Sequence, residues 1–300
     1  MVNVDVAGLG IGPTYPPRIM GVLNVSEESP YDPSVFDDPD EAAAYVDEAL
    51  IDEGADIVDI GLESANRRFE VLSAEEELAR LDVACETIDR VSGEAVFSIE
   101  TRYSEVAAAA LERGFQMVND VCGFADPDLP RVCKAHDAAV VKMASPPDIL
   151  RPGAVEETDW AKRRSPSWAS AADYVDQVKA ALERGGLTEK TIVDPAFGRW
   201  SDAQTLADDR EAFRRLEEFH DLGRPLLVSI NRKNFLGELV GRETDDRLPA
   251  SLAGTALAVD RGVDVLRTHD VAETRDAAVI AHELGHSTDR TPLLDVEAHD

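Results

Sequence analysis

The sequence predicts an α/β protein, namely a single-domain (β/α)8 barrel over residues 1–285. Short apolar, β-branched segments alternate with longer segments of helical period, and the alternation occurs eight times in 300 residues. The first apolar segment continues as Gly21-Val-Leu-Asn-Val. It therefore lacks the Gly-rich turn expected of the main alternative, a doubly wound open sheet. No linker-like stretch divides the chain, and residues 286–300 are expected to form a polar tail.

Strands are predicted where Val, Ile, Leu and Met cluster in runs too short for helices. In chain order these runs are Ile19–Leu23, Ile57–Ile60, Val96–Ile99, Met117–Val118, Ala139–Met143, Thr191–Val193, Leu226–Ile230 and Val263–Leu266. The carboxyl ends of such strands would together form one mouth of the barrel.

Helices are predicted from apolar spacing of about 3.6 residues, with start and stop residues at several ends. Ser73 begins a Ser-Ala-Glu-Glu capping box, and Gly54 and Gly114 end two helices. The predicted helices are Glu41–Glu53, Ala74–Val91, Glu105–Arg113, Leu129–His136, Ala171–Arg184, Arg210–Leu222, Leu236–Leu248 and Thr274–Leu284. Residues 146–167 are rich in Pro, Gly and charge, and predict an extended loop.

The chain is strongly acidic, with 60 Asp and Glu against 30 Lys and Arg and a net charge of -30. Such a chain repels nucleic acid and anionic membranes, so neither is an expected partner. The acidic residues are spread over nearly every predicted element, which favours a solvated surface over an acidic binding face. This distribution leads to the hypothesis of a halophilic source with a salt-rich cytoplasm.

The cysteines and the hydropathy pattern indicate a cytoplasmic protein. Cys85, Cys122 and Cys133 have no metal-ligand spacing and are odd in number, which argues against a disulfide framework. No apolar run approaches the length of a membrane span, and the first residues do not resemble a signal peptide.

Polar residues follow almost every predicted strand, which ordinary turns do not require. They are Asn24, Glu63-Ser64, Glu100, Asn119-Asp120, Lys142, Asp194, Ser229 with Asn231-Arg232-Lys233, and Arg267 with His269-Asp270. Each one has a structural alternative, because Asp194 can cap a turn and Asn119 or Asp120 can satisfy loop amides. In a barrel, however, catalytic groups come from these strand ends.

The cationic strand ends suit an anionic ligand. Arg267 and His269 can bind phosphate oxygens through charge-assisted hydrogen bonds. Arg232 or Lys233 can do the same, and Asn234 is expected to cap the helix that follows them.

The remaining strand ends suit a heterocycle and a metal. Glu100, Asn119 and Asp194 offer acceptors for the N–H edge of a donor-rich ring. Asn24 offers one carbonyl ligand for a Mg²⁺ ion that keeps most of its waters and also binds substrate phosphates.

The chain resembles the dihydropteroate synthase family of pterin-binding barrels, from about Arg18 to Leu284. The resemblance rests on Ile19-Met-Gly-Val-Leu-Asn-Val, Ala55-Asp-Ile-Val-Asp-Ile-Gly-Leu-Glu-Ser, Val118-Asn-Asp-Val-Cys-Gly, Asp194-Pro, Asn231-Arg-Lys-Asn-Phe-Leu-Gly and Arg267-Thr-His-Asp-Val. Several motifs in the right order are far more specific than any one of them.

The resemblance implies that p-aminobenzoate displaces pyrophosphate from 6-hydroxymethyl-7,8-dihydropterin diphosphate. It implies that Asn24 holds Mg²⁺, that Arg267 and His269 bind the leaving group, and that Asn119, Asp194 and Lys233 fix the pterin. Glu100 stands where the family has Asp, and the substrate-binding set also includes Ser64 and Asn234. It further implies a homodimer built on helices far from the active-site mouth.

The sequence departs from the family pattern mainly on the side of the amine. Ala65-Asn-Arg-Arg replaces Thr-Arg-Pro-Gly, with Arg67 or Arg68 as a substitute for the missing Arg, and Asn231 and Asn234 replace serines. Lys142-Met replaces the usual His-Met, and Ala196-Phe-Gly-Arg-Trp is a bulkier turn than the family's. The alternative is therefore a divergent pterin-binding paralogue that uses another arylamine, transfers methyl groups or binds without catalysis.

Overall fold

The computed structural model describes residues 2–25, 34–63, 72–144, 173–198 and 204–285. Two short strands, β1 Val4–Val6 and β2 Leu9–Ile11, precede a ring of eight parallel strands. The eight are β3 Arg18–Asn24, β4 Ile57–Gly61, β5 Val96–Glu100, β6 Met117–Asp120, β7 Ala139–Met143, β8 Thr191–Asp194, β9 Leu227–Val228 and β10 Val265–Thr268. Their order in the sheet is β8-β7-β6-β5-β4-β3-β10-β9. A parallel bridge between Val193 and Leu226 joins β8 to β9, so the predicted barrel is confirmed.

The helices surround the barrel and cover its strands. They are α1 Pro39–Tyr45, extended by a π-helical segment Val46–Ile51, α2 Ala74–Arg90, α3 Ser104–Glu112, α4 Leu129–Ala135, α5 Tyr174–Glu183, α6 Leu206–Arg214, α7 Asn234–Val240, α8 Leu248–Asp260 and α9 Val271–Leu284. Short 3-10 helices at Leu216–Leu222 and Thr244–Arg247 follow α6 and α7. No helix of the described ranges is long and apolar enough to cross a membrane.

A β-hairpin that the sequence analysis missed closes the amino-terminal end of the barrel. It pairs β1 Val4–Val6 with β2 Leu9–Ile11, and Ala7 and Gly8 at its turn both have positive φ. Val4, Val6 and Ile11 belong to the same apolar cluster as the inward side chains of the barrel strands. Strands of three residues are too short for an alternating pattern to be recognised.

The register of the strands determines which polar side chains face the barrel interior. Met20, Ile57 and Val96 are paired neighbours whose side chains fill the interior core. Because side chains alternate along a strand, residues two and four positions further on face the same way. Asp59 and Glu100 therefore point into the barrel, toward its carboxyl-terminal mouth.

The helix prediction was wrong around residues 236–260. The expected helix Leu236–Leu248 is divided, because α7 ends at Val240 before Gly241, whose φ is 68°. The following helix, α8, was not predicted. Its sequence is apolar on every side and contains one charged residue, so it has no amphipathic period to recognise.

Side chains cap the amino-terminal ends of several helices. The capping box at Ser73 is confirmed, with Glu76 as its second member. A second capping box, formed by Thr205 and Asp208, starts α6 earlier than predicted. Asp173 caps α5. The predicted loop 146–167 and tail 286–300 lie outside the described residues.

Candidate functional site

Four side chains from four strands meet inside the carboxyl-terminal mouth of the barrel. Arg267 donates from Nε to Asp59 Oδ2 at 2.7 Å and from Nη2 to Glu100 Oε2 at 2.7 Å. Asn119 Nδ2 donates to the same two carboxylate oxygens, at 2.8 Å to Asp59 and 3.4 Å to Glu100. The structure thus brings together three residues that the sequence analysis selected, and adds Asp59.

Asp59 was missed because it lies in the middle of a strand and not at its end. Its side chain is fully buried. The signal was nevertheless present, since a carboxylate within the apolar run Ile-Val-Asp-Ile requires a partner inside the protein. That partner is Arg267, which is 208 positions away in the sequence.

Two carboxyl groups at the mouth have raised pKa values. Burial raises the pKa of Glu100 to about 7, and the nearby carboxylates of Asp59 and Glu63 add to the rise, whereas Arg267 opposes it. Burial also raises the pKa of Asp194 to about 6, against the hydrogen bond from Ala196 N at 2.8 Å and the charge of Lys233. Both carboxyl groups therefore titrate close to neutral pH.

The two basic residues near Arg267 respond to burial in the opposite sense. Burial and the charge of Arg267 lower the pKa of Lys233 and lower that of His269 to about 3. His269 is therefore neutral at pH 7 and can contact an anion only as a neutral hydrogen-bonding group. Gly198, with a φ of 103°, leaves space for Lys233, because a Cβ there would lie 2.8 Å from Lys233 Cδ.

Arg232 is engaged by other parts of the protein, which argues against the anion-binding role considered for it. Its Nε and Nη2 donate to the two oxygens of Asp270 at 2.8 and 2.9 Å, and Nη1 donates to Asp245 O at 2.8 Å. Asn231 Nδ2 also donates to Asp270, at 2.8 Å. Arg232 therefore holds the loops after β9 and β10 together.

Asn234 does not cap the helix that follows it. The N-cap position belongs to Lys233, and α7 begins at Asn234 itself. The exposed side chain of Asn234 instead accepts a hydrogen bond from Arg247 Nη1 at 2.9 Å. Its assignment to the substrate-binding set stays a prediction.

Two other strand-end residues point away from the mouth. Lys142 is fully buried on the outside of the barrel, where Nζ donates to the carbonyl oxygens of Arg184 and Gly186 beyond α5. Asp120 accepts from the backbone amides of Cys122 and Phe124, so the structural alternative is correct for it.

Glu63, just after β4, contacts two other described parts of the chain. This carboxylate accepts from Arg102 Nη2 at 2.5 Å and from Leu72 N at 2.8 Å. Ser64, Arg67 and Arg68 lie outside the described residues.

Asn24 fits the role of a single protein ligand to Mg²⁺. Its Nδ2 donates to Ser34 Oγ at 3.0 Å, and its Oδ1 accepts no hydrogen bond from the described residues. A Cβ at Gly61 would lie 2.8 Å from that oxygen, so the glycine provides the space for it. The described ranges contain no cluster of three or more His, Cys, Asp or Glu side chains that could hold a metal ion.

Comparisons with known proteins identify the family. Residues 20–269 match the model of the family described as pterin binding enzyme. The chain is 30% identical over 256 residues to dihydropteroate synthase of Bacillus subtilis, covering 85% of this chain and 84% of that one. It is similar to a structure of the Thermus thermophilus dihydropteroate synthase in complex with 4-aminobenzoate, with a TM-score of 0.73, 29% identity, and coverage of 94% and 100%.

A much longer relative is also similar. The chain is 35% identical over 264 residues to a protein of Halobacterium salinarum named as a probable bifunctional folylpolyglutamate synthase/dihydropteroate synthase. The match covers 88% of this chain but 31% of that protein. The chain thus spans about a third of the length of this relative.

Proposed function

The chain belongs to the dihydropteroate synthase family of pterin-binding enzymes, and we propose that it condenses 6-hydroxymethyl-7,8-dihydropterin diphosphate with p-aminobenzoate. The products are dihydropteroate and pyrophosphate. The observation that carries the proposal is Arg267, a cation fixed between carboxylates inside the barrel mouth, beside acceptors suited to a pterin ring. This arrangement provides for both halves of the substrate.

The pterin half would be bound by hydrogen-bond acceptors. The carboxylates of Glu100 and Asp194 and the carbonyl oxygen of Asn119 match the amino and N–H groups of the ring. Lys233, near Asp194 and Glu100, would donate to a ring acceptor. Burial of these groups strengthens each contact, because water competes less for them.

The diphosphate half would be bound by Arg267, with His269 as a neutral neighbour. The amine nitrogen attacks the methylene carbon, a C–N bond forms, and the C–O bond to the diphosphate breaks. The negative charge that develops on the departing oxygen is stabilised by the guanidinium, and the ammonium proton passes to water. No covalent nucleophile is required, because positioning of the amine and stabilisation of the leaving group suffice.

Mg²⁺ is the proposed cofactor, with Asn24 as its protein ligand. When bound, it would neutralise charge on the diphosphate as that group leaves. Support comes from the free carbonyl oxygen of Asn24 among the described residues and the space at Gly61.

A homodimer is proposed through the outer faces of α8 and α9. Leu257 is 50% exposed, Ile280 59% and Leu284 78%, on two helices that pack against each other. In a chain of net charge -30 these exposed apolar side chains favour a second copy as their partner. Leu257→Glu combined with Ile280→Glu should give a monomer in sedimentation analysis, and an unchanged species would contradict this interface.

The halophilic source and the cytoplasmic location stay predictions. The acidic composition supports the first, because salt would screen repulsion among the surface carboxylates. Thermal unfolding should shift to higher temperature as salt is added, whereas melting that ignores salt would remove the hypothesis.

The function is tested by pyrophosphate release in high salt. Purified protein is incubated with the pterin diphosphate, Mg²⁺ and p-aminobenzoate, and pyrophosphate and dihydropteroate are both measured. Equal amounts of the two products support the proposal. Release with another arylamine alone would redefine the substrate, and binding of pterin without release would favour the paralogue.

A further inference from the structure

One carboxylate oxygen connects the two halves of the candidate site. Asp59 Oδ2 accepts from Asn119 Nδ2 at 2.8 Å and from Arg267 Nε at 2.7 Å. Asp59 is fully buried and Asn119 is 4% exposed, whereas the side chain of Arg267 is 17% exposed. Oδ2 of Asp59 would therefore influence a substrate through these two neighbours, while Oδ1 has no hydrogen-bond partner among the described residues.

The contact with Asn119 decides which end of its amide faces the substrate. With Nδ2 bound to the carboxylate, Oδ1 is the atom left to accept a hydrogen bond from a ligand. The reversed amide would place its oxygen against the carboxylate oxygen of Asp59, which is repulsive. The bound orientation suits a donor-rich ring.

The contact with Arg267 fixes the plane of the guanidinium. Nε is held by Asp59 and Nη2 by Glu100, so the planar group cannot rotate about its last bonds. Nη1 is bonded to no residue of the described ranges and keeps both of its donors for a ligand. An arginine held on two sides loses little conformational entropy when it binds an anion.

We propose that Asp59 is a positioning residue for the transferase reaction, aiming the Asn119 carbonyl at the pterin and the Arg267 guanidinium at the diphosphate. The inference rests on the proposed function and deepens it. It predicts that a single buried side chain controls the affinity for two chemically different ligands.

Three variants separate positioning from a general structural role. Asp59→Leu keeps the approximate shape but removes the acceptor, and Asp59→Asn keeps an oxygen that can still accept from both neighbours. Ser98→Ala is the matched control, because Ser98 is the paired neighbour of Asp59 on β5, is fully buried, and has no hydrogen-bond partner in the described structure.

Binding is measured separately for 6-hydroxymethylpterin and for inorganic pyrophosphate with Mg²⁺, by calorimetry in high salt. Asp59→Leu should weaken both by about ten- to a hundredfold, the usual effect of losing hydrogen bonds to a charged group. Asp59→Asn should restore most of both affinities, and Ser98→Ala should bind as the wild type. Asn119→Ala should weaken the pterin alone.

The inference is overturned if Asp59→Leu binds both ligands normally, or if the loss is confined to one ligand. Should that variant fail to fold, as judged by thermal unfolding, Asp59→Val replaces it, because valine likewise offers no acceptor. Wild-type turnover is measured in parallel. Absence of pyrophosphate release from the wild type counts against the proposed function, whereas normal release with unaffected Asp59 variants counts against the positioning role.

Discussion

Arg267 and Arg232 are two arginines at neighbouring strand ends with almost the same exposure but opposite uses. Their side chains are 17% and 16% exposed, and each forms two hydrogen bonds to carboxylate oxygens. Sequence position alone gives no reason to prefer one as the anion-binding residue. The difference lies in where the remaining donors point.

Arg232 uses all of its side-chain nitrogens within the protein. Its third nitrogen, Nη1, donates to backbone carbonyl oxygens of Thr244 and Asp245, and its own backbone has a positive φ of 50°. Arg267 keeps Nη1 for a ligand, since no described residue accepts from it. Arg267 thus has a whole Nη1 group left for the anion proposed to bind there, whereas every side-chain nitrogen of Arg232 already donates within the protein.

The largest expected effect comes from Arg267→Lys. Lysine keeps the charge but has no planar guanidinium. It therefore cannot contact Asp59 and Glu100 and at the same time offer a third nitrogen to a ligand. We expect kcat/KM for pyrophosphate release to fall by about a hundredfold or more, the usual result of removing one electrostatic contact to a leaving group. Circular dichroism and thermal unfolding serve as the fold control, and activity within a few-fold of wild type would refute the assignment.

Arg232→Ala should affect stability instead of chemistry. Removing Arg232 leaves Asp270 with Asn231 as its remaining side-chain donor, and we expect a loss of about 3 kcal/mol in the free energy of unfolding. The folded variant should retain most of its kcat. Arg232→Gly removes the same side chain but relieves the positive φ, so it should unfold at a higher temperature than Arg232→Ala. A large loss of kcat without any loss of stability would contradict the structural role of Arg232.

The fold and most of the site could be predicted because their signals are local. Each barrel strand is a short apolar run, and the motif residues follow the runs directly. The side on which a residue faces was harder to predict. Lys142 lies in Ala139–Met143, which is apolar on both faces of the sheet, so no alternation indicated that this lysine points outward.

The partners of the site residues could not be predicted, because they come from distant strands. Nothing local relates Asp59 to Arg267, and only the closed ring brings them together. Arg232 and Asn231 both donate to Asp270, and this contact also forms only because the loops after β9 and β10 are neighbours in the ring. Helix α8 was missed for a different reason, since its outward face lacks the polar residues that normally mark a surface helix.

The affinity for a pterin should depend on pH, and this dependence tests the role of Glu100, a carboxylate that Arg267 contacts and Arg232 does not. The pKa of Glu100 is raised to about 7 and that of Asp194 to about 6, so both ionise within the neutral range. Affinity for 6-hydroxymethylpterin should increase as the pH rises from about 5 to about 8, because the ionised groups are the better acceptors. Glu100→Gln should remove the part of the change near pH 7.

Stability should move in the opposite direction. A carboxyl group whose pKa is raised on folding contributes stability below its unfolded value, and that contribution is lost as the pH rises through the folded value. Glu100 and Asp194 therefore favour unfolding over the same range in which they favour the ligand. Wild-type affinity that does not change across this range would contradict their role as ionised acceptors.

The smallest effect is expected from Gly61→Ala. This substitution tests whether the carbonyl oxygen of Asn24, a neutral group, is held in place for a ligand, as Arg267→Lys tests a cation. The added Cβ would lie 2.8 Å from Asn24 Oδ1, which is too close, so this oxygen must shift. Because Asn24 is the proposed ligand of Mg²⁺, the concentration of Mg²⁺ for half-maximal activity should rise by roughly three- to tenfold, with kcat at saturating metal almost unchanged. Asn24→Ala should give the same dependence or a steeper one. If Gly61→Ala lowers kcat while the Mg²⁺ requirement stays constant, the oxygen of Asn24 contacts the substrate itself and not the metal.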